Sequence, residues 1–179
     1  MSFVARHGLW SDEQREAAAR LARTVEEQKL EVIRLSFPDQ HGILRGKTLV
    51  AREALAALES GCTITTTMFA KDTSHRTVFP VFTSGGGFGM REMEGAADVL
   101  MVGDPTSFRV LPWAPSTGWL LCDVYFISLR LARAVFGRAG HVLRQQARGV
   151  ATMTKHHEKR RGDEGDRFHY AASHSSYQL

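Results

Sequence analysis

Long apolar runs are missing from this 179-residue sequence. None approaches the roughly 18 residues that a membrane-spanning helix needs, and the first turns of chain lack the apolar centre of a secretory signal, so a cytoplasmic protein without membrane contact is expected. Cysteine is scarce as well. Cys62 and Cys122 stand alone, without the C-x-x-C spacing of zinc or redox sites, and each sits among apolar residues as a small core side chain in a reduced protein. Charge of one sign is not concentrated either. The net charge is +4, but the basic residues are spread along the chain, and the run from Lys155 to Arg161 is soon diluted by Asp163, Glu164 and Asp166. A nucleic-acid partner, which requires a basic stripe or patch, is therefore not expected.

What is present is ordinary for a globular chain. Apolar residues make up 43% and charged residues 23%, values that exclude wholesale disorder and fibrous classes but carry no chemistry. The length suits one domain with an appendage. Ser11 followed three residues later by Gln14 has the form of a capping box, and Ala18, Leu21, Ala22 and Val25 continue at helical spacing, which predicts an amphipathic helix over about residues 12–28. The β-branched and aromatic stretches Glu31 to Phe37 and Ile43 to Leu49 flank a Pro-Asp-Gln-His-Gly turn and predict a hairpin. A short helix follows from Arg52 to Ser60, stopped at Gly61. Residues Thr63 to Lys71 read as extended, and 72–95 as a long irregular loop.

Three further strands are predicted at Asp98 to Val102, Phe108 to Leu111 and Gly118 to Phe126, separated by proline and glycine punctuation. Strands grouped in this way around helices indicate an α+β domain. A linker helix is predicted from about Leu129 to Arg148, weakened by Gly137 and Gly140. Beyond Gly149 the sequence is polar and without apolar period, and a disordered tail is expected.

Few residues announce chemistry by themselves. The cluster Gly85-Gly86-Gly87-Phe88-Gly89 lacks both the strand-before, helix-after context of a dinucleotide fingerprint and the Gly-Lys-Ser/Thr of a phosphate loop, so it reads as a mobile loop. His156, His157, His169 and His174 lie in the tail, where no scaffold would converge them on a metal. His75, beside Ser74 and Arg76, has no nucleophile or orienting carboxylate at a recognisable spacing and reads as structural.

Specificity comes from several words in fixed order. Arg34-Leu-Ser-Phe-Pro-Asp-Gln-His-Gly42 with Arg45-Gly-Lys47 behind it, then Ala96-Ala-Asp98, Val102-Gly-Asp-Pro105 and Phe108-Arg-Val-Leu-Pro-Trp113 leading into Cys122-Asp123, together resemble the amino-terminal domain of the glutamine synthetase family. The first word is similar to that family's D-x-x-G-x-x-R-G-K turn, and the later ones to its D-x-x-x-x-P-D-P and R-x-x-P-W signatures. The likeness covers about residues 30–126, and its closest flavour is the divergent branch of glutamine-synthetase-like enzymes, some of which ligate amines other than ammonia.

The resemblance implies a β-grasp sheet of about five strands with flanking helices. Taken with the patterning, this gives a helical segment at 1–29, the β-grasp domain at 30–126, a linker helix at 127–148 and a disordered tail at 149–179, the last of which matches nothing in the family. The resemblance also implies an ATP-dependent carboxylate–amine ligase that acts through a γ-glutamyl phosphate with divalent metals, Mg or Mn, in a ring of subunits. In such enzymes a large carboxy-terminal domain supplies the metal, nucleotide and phosphate ligands, and the neighbour's amino-terminal domain supplies a short Asp-Gly-Ser-Ser loop on the amine side. By position this chain offers Thr65, Thr66 and Thr67 there. A threonine hydroxyl can hydrogen-bond an amine but is no base near neutral pH. No glutamate-rich strand follows Phe126, so no ATP, cofactor or metal site is expected in this chain, which reads as an amino-terminal fragment inactive alone. The alternative is a non-catalytic interaction or oligomerisation module that pairs with copies of itself or with a full-length synthetase subunit. Trp113, Trp119 and Phe108 would be candidates for such a surface, although aromatic residues of this kind are more often core.

Overall fold

A computed structural model describes residues 1–127. The first element, which sequence patterning does not anticipate, is the short helix α1 (Phe3–His7), capped by the Ser2 hydroxyl and closed by Gly8 in the left-handed region. Helix α2 (Asp12–Glu27) begins where the capping box predicts it. Ser11 Oγ accepts the Gln14 N–H at 3.3 Å and Gln14 Oε1 accepts the Ser11 N–H at 3.0 Å, so two donors left over at a helix start are satisfied reciprocally. Its inward stripe is Ala17, Leu21 and Val25.

The hairpin of β1 (Val32–Pro38) and β2 (Leu44–Val50) follows, antiparallel from Val32 opposite Val50 to Pro38 opposite Leu44. Alternation along β1 sends Ile33, Leu35 and Phe37 into the core. Helix α3 (Ala51–Ser60) buries Ala51, Ala54 and Leu58 and ends at Gly61. That glycine adopts φ 79° and ψ 169°, a conformation available to glycine but not the left-handed helical one, and a Cβ there would stand 2.5 Å from Leu100 Cγ.

The remaining strands are β3 (Cys62–Thr65), β4 (Asp98–Gly103), β5 (Arg109–Leu111) and β6 (Ala114–Phe126). The sheet runs β2-β1-β6-β4-β3, with β5 paired to β6. All neighbours are antiparallel except β1 and β6, which run parallel at the centre with Val32 opposite Thr117. The domain is thus α+β around a mixed sheet of six strands, one short strand more than the expected five, with the first and last strands paired at its centre. One apolar core joins Leu21 and Val25 of α2 and Ala54 and Leu58 of α3 to Ile33, Phe37, Val99, Met101 and Leu120 of the sheet.

Two expectations change. The extended stretch predicted for Thr63 to Lys71 stops at Thr65 and continues as a 3-10 turn over Thr66–Ala70, because Thr65 Oγ1 accepts the Thr67 N–H at 3.4 Å while the Thr66 N–H turns to the Ala97 carbonyl at 2.8 Å. The glycine-rich loop is irregular but firmly built. Gly87 has φ 67°, its N–H bonds the Pro80 carbonyl at 2.9 Å, and a Cβ on it would lie 2.6 Å from the Met93 carbonyl carbon. Gly86 and Gly87 therefore answer to close packing, whereas Gly85 and Gly89 have open space around them. Of the aromatics proposed as surface, Trp113 is 72% exposed, whereas Phe108 packs against the core. Trp119 is half-buried and donates its indole N–H to Ser36 Oγ at 3.0 Å. Apart from Ile127, the expected linker helix and all of the expected tail lie outside the described residues.

Candidate functional site

The motif words first prove to be structural joints. Asp39, fully buried, accepts the N–H groups of His41 and Ile43 on Oδ1, each at 2.9 Å, and the Arg45 Nε–H on Oδ2 at 2.8 Å. Arg45 is buried too, its side chain 5% exposed, so the pair is an ion pair inside the protein whose carboxylate is fully engaged. Gly42 takes φ 76° at the turn, and Gly46 lies so close to β1 that a Cβ would fall 1.8 Å from the Leu35 carbonyl oxygen. The spacing Asp-x-x-Gly-x-x-Arg-Gly is therefore the code for a hairpin closed by a buried ion pair.

Arg45 then reaches a third residue. Its Nη1 donates to Nδ1 of His75, in a loop closed by the bridge between Lys71 and Thr77. The Lys71 carbonyl faces Gln40 Nε2 at 2.8 Å and His41 Nε2 at 3.2 Å, while Lys71 Nζ donates to the His75 carbonyl at 3.1 Å. Within the loop, Asp72 Oδ1 accepts from Ser74 N, Ser74 Oγ and Arg76 N. These bonds, the Ser74 hydroxyl first, hold the Asp72 carboxyl below the usual range.

The second word joins helix to sheet. Asp104, at the end of β4, accepts Gln14 Nε2 at 3.0 Å and both the N–H and the hydroxyl of Thr106. Ser107 Oγ donates to the Asp104 carbonyl at 2.6 Å and accepts the Leu121 N–H at 2.9 Å. The same Gln14 that closes the capping box of α2 thus docks that helix on the turn at Pro105–Ser107.

The residues predicted for the amine side occupy the corner where β3 ends. Thr65 and Thr67 are half-buried with their hydroxyls 3.1 Å apart, but Thr66 is fully buried and its Oγ1 has no partner. Two of the three hydroxyls can therefore meet a ligand, and Thr66 cannot. Asp98, exposed at the start of β4, is the register partner of Thr65. It also lines a concavity of about 420 Å³ together with Arg91, Glu92, Ala97, Phe126 and Ile127. This hollow was not read from the sequence. Its members come from the irregular loop, β4 and the end of β6, and no spacing announces that they meet.

Relatives decide what such a domain belongs to. No family profile matches the chain. Over 131 residues, however, it is 43% identical to "Gamma-glutamylanilide synthase" of Acinetobacter sp, a span that takes in 72% of this chain. The chain belongs to the glutamine synthetase family. It spans about a quarter of that relative, 26% of its length. Two solved structures, "Apo GmaS without ligand" and "GmaS/ADP complex-Conformation 1", match at 30% and 31% identity. Each covers 60% of this chain, against 21% and 20% of their own, with TM-scores of 0.43 and 0.44.

Hard divalent ions take clustered oxygen ligands. Among the described residues no three His, Cys, Asp or Glu side chains converge as a metal set would, and the threonine corner offers neutral hydroxyls. Among the same residues no helix is long and apolar enough to cross a membrane.

Proposed function

We propose that this chain supplies the amino-terminal, amine-facing domain of an ATP-dependent carboxylate–amine ligase that forms γ-glutamyl amides, and that it is inactive without a catalytic domain. The reading rests on the identity with γ-glutamylanilide synthase over 131 residues. It is supported by the corner at Thr65, Thr67 and Asp98. The hydroxyls can hydrogen-bond an amine, and Asp98, directly across the strand pair from Thr65, brings a carboxylate to a turn that has none of its own. The apolar wall of the adjoining hollow, Ala97, Phe126 and Ile127, suits an organic amine better than ammonia. ATP, Mg or Mn and the glutamate site belong in this reading to the catalytic domain of a neighbouring subunit, and nucleic acid has no part in it.

The test is a domain exchange. Residues 1–127 replace the corresponding segment of γ-glutamylanilide synthase, and γ-glutamyl amide formation from glutamate, ATP and aniline is measured beside the intact chain alone. The exchange protein should be active and the chain alone should give no product. An assembled but inactive exchange protein, or stoichiometric binding of ATP and Mg to the isolated chain by calorimetry, would overturn the proposal.

A second reading, a non-catalytic module that binds copies of itself or a full-length synthetase subunit, is favoured by one feature. Val78, Phe79, Phe82, Phe88 and Met90 are all exposed on a single loop, with Phe82 at 71%. Exposed apolar surface of this kind marks partner sites. Co-purification of the intact chain with such a subunit, without gain of activity, distinguishes the two.

A further inference from the structure

The contact between Arg45 and His75 fixes a protonation state. A guanidinium has donors only, so Nδ1 of His75 must accept, and the imidazole must be neutral with its hydrogen on Nε2. His41 makes the opposite demand. Its Nε2 meets the Lys71 carbonyl, an acceptor, so it must donate there, and a protonated His41 keeps that bond. Two histidines pin the same loop to the same hairpin turn, and only one of the pins depends on remaining uncharged.

We propose that His75 is a pH-sensitive latch, fastening its end of the loop of residues 71–77 to the hairpin turn while its imidazole is neutral and freeing that end when the imidazole takes a proton. Protonation puts an N–H where Arg45 needs an acceptor and sets a second cation against a guanidinium that water scarcely reaches. The His75 side of the contact is open to water, so the cost of the added charge falls on the buried Arg45 guanidinium. Asp39 already receives two backbone N–H groups and Arg45 Nε, and Arg45 Nη2 is buried without a partner. Lys71, whose ammonium donates to the His75 carbonyl, and the neighbouring Arg76 add positive charge. Asp72 accepts the His75 N–H on its backbone carbonyl, while its carboxylate is committed to Ser74 and Arg76.

The sign of the response follows directly. The contact needs the unprotonated ring, so it is complete at the alkaline end and lost on acidification as the imidazole takes its proton. The Asp72 carboxyl, held below the usual range, stays ionised there, so the internal bonds of the loop persist. The His75 end of the loop comes away from the turn without unravelling, while Gln40 and His41 still hold the Lys71 carbonyl.

The experiment is a titration of the intact chain from about pH 8 to pH 5, across the ordinary imidazole range, followed by backbone amide and imidazole nitrogen NMR. At pH 8 His75 should show an unprotonated Nδ1, and the amides of Asp72 to Thr77 should shift together, with the midpoint of the His75 ring. His75→Asn is the decisive variant. Asparagine tolerates the φ of 66° found at His75 and offers an Oδ1 acceptor in place of Nδ1, but it does not titrate. Its loop should keep the pH 8 signature down to pH 5, while His41→Gln should keep the wild-type step. Loop amides that stay constant while His75 titrates, or a step of unchanged size in His75→Asn, would overturn the latch.

Discussion

The hairpin turn at 39–45 hides its charges, whereas the loop at 78–90 displays its aromatics. Both are irregular backbone, and both are held by specific bonds. In the turn, Asp39 and Arg45 lie inside the protein and fix the chain from within. In the loop, the backbone is fixed by Gly87 N–H on the Pro80 carbonyl, Gly95 N–H on the Val81 carbonyl at 2.7 Å, and Gly85 N–H on the Glu94 carboxylate at 3.0 Å. Val81 and Met93 are sunk beneath it, and the rings of Phe79 and Phe88 meet at the surface with centroids 4.7 Å apart. A turn that buries polar groups spends its side chains on its own geometry. A loop that satisfies its backbone and leaves aromatics outside has side chains free for another surface.

The sharpest way to break this contrast is to unpair the turn. Arg45→Ala leaves the buried Asp39 carboxylate without its cation and should cost about 3–5 kcal/mol in urea-unfolding experiments. Gly46→Ala comes next. Its Cβ has no room beside the Leu35 carbonyl, so β1 and β2 must separate locally, and a loss of about 2–4 kcal/mol is expected from the same measurement. Gly87→Ala asks whether the loop is as firmly specified. A positive φ and contact with the Met93 backbone should together cost about 1–3 kcal/mol, whereas a slack loop would absorb the change. Asp72→Asn acts only at the acid end. Because the folded carboxyl titrates below its ordinary value, its contribution is present at neutral pH and fades as pH falls through the folded pKa, so the variant should show a shallower loss of stability below about pH 4. The smallest effect belongs to the displayed aromatics. Phe82→Ser should leave stability within about 0.5 kcal/mol, while binding of an apolar dye falls measurably.

Much of the fold could be read from residue patterns that act locally. The capping box at Ser11 and Gln14 marks the start of α2 because both of its bonds lie within one turn of chain. The hairpin and α3 were legible for the same reason, their alternation and their stop signals being near neighbours in sequence. The 3-10 turn after Thr65 was not, since it depends on a hydrogen bond to Ala97, far along the chain. The site divided in the same way. Thr65, Thr66 and Thr67 were proposed by position alone, but that Thr66 points inward, and that Asp98 lies opposite Thr65, are products of the β3–β4 register. The Asp39 and Arg45 word was recognised as a signature without its reason, which is burial, a property that no spacing displays.

The parallel pairing of β1 with β6 has a consequence in time. During synthesis the hairpin can close as soon as Val50 has emerged, but the strand segment that covers the other edge of β1, Thr117 to Leu121, is made only after the whole of α3, β3, the loops, β4 and β5. Until then a nascent chain carries a half-sheet with a bare, apolar flank, open to any extended peptide that passes. A chain that has reached Leu121 can cover β1, but only one that has reached Phe126 can also join β4 and close the sheet.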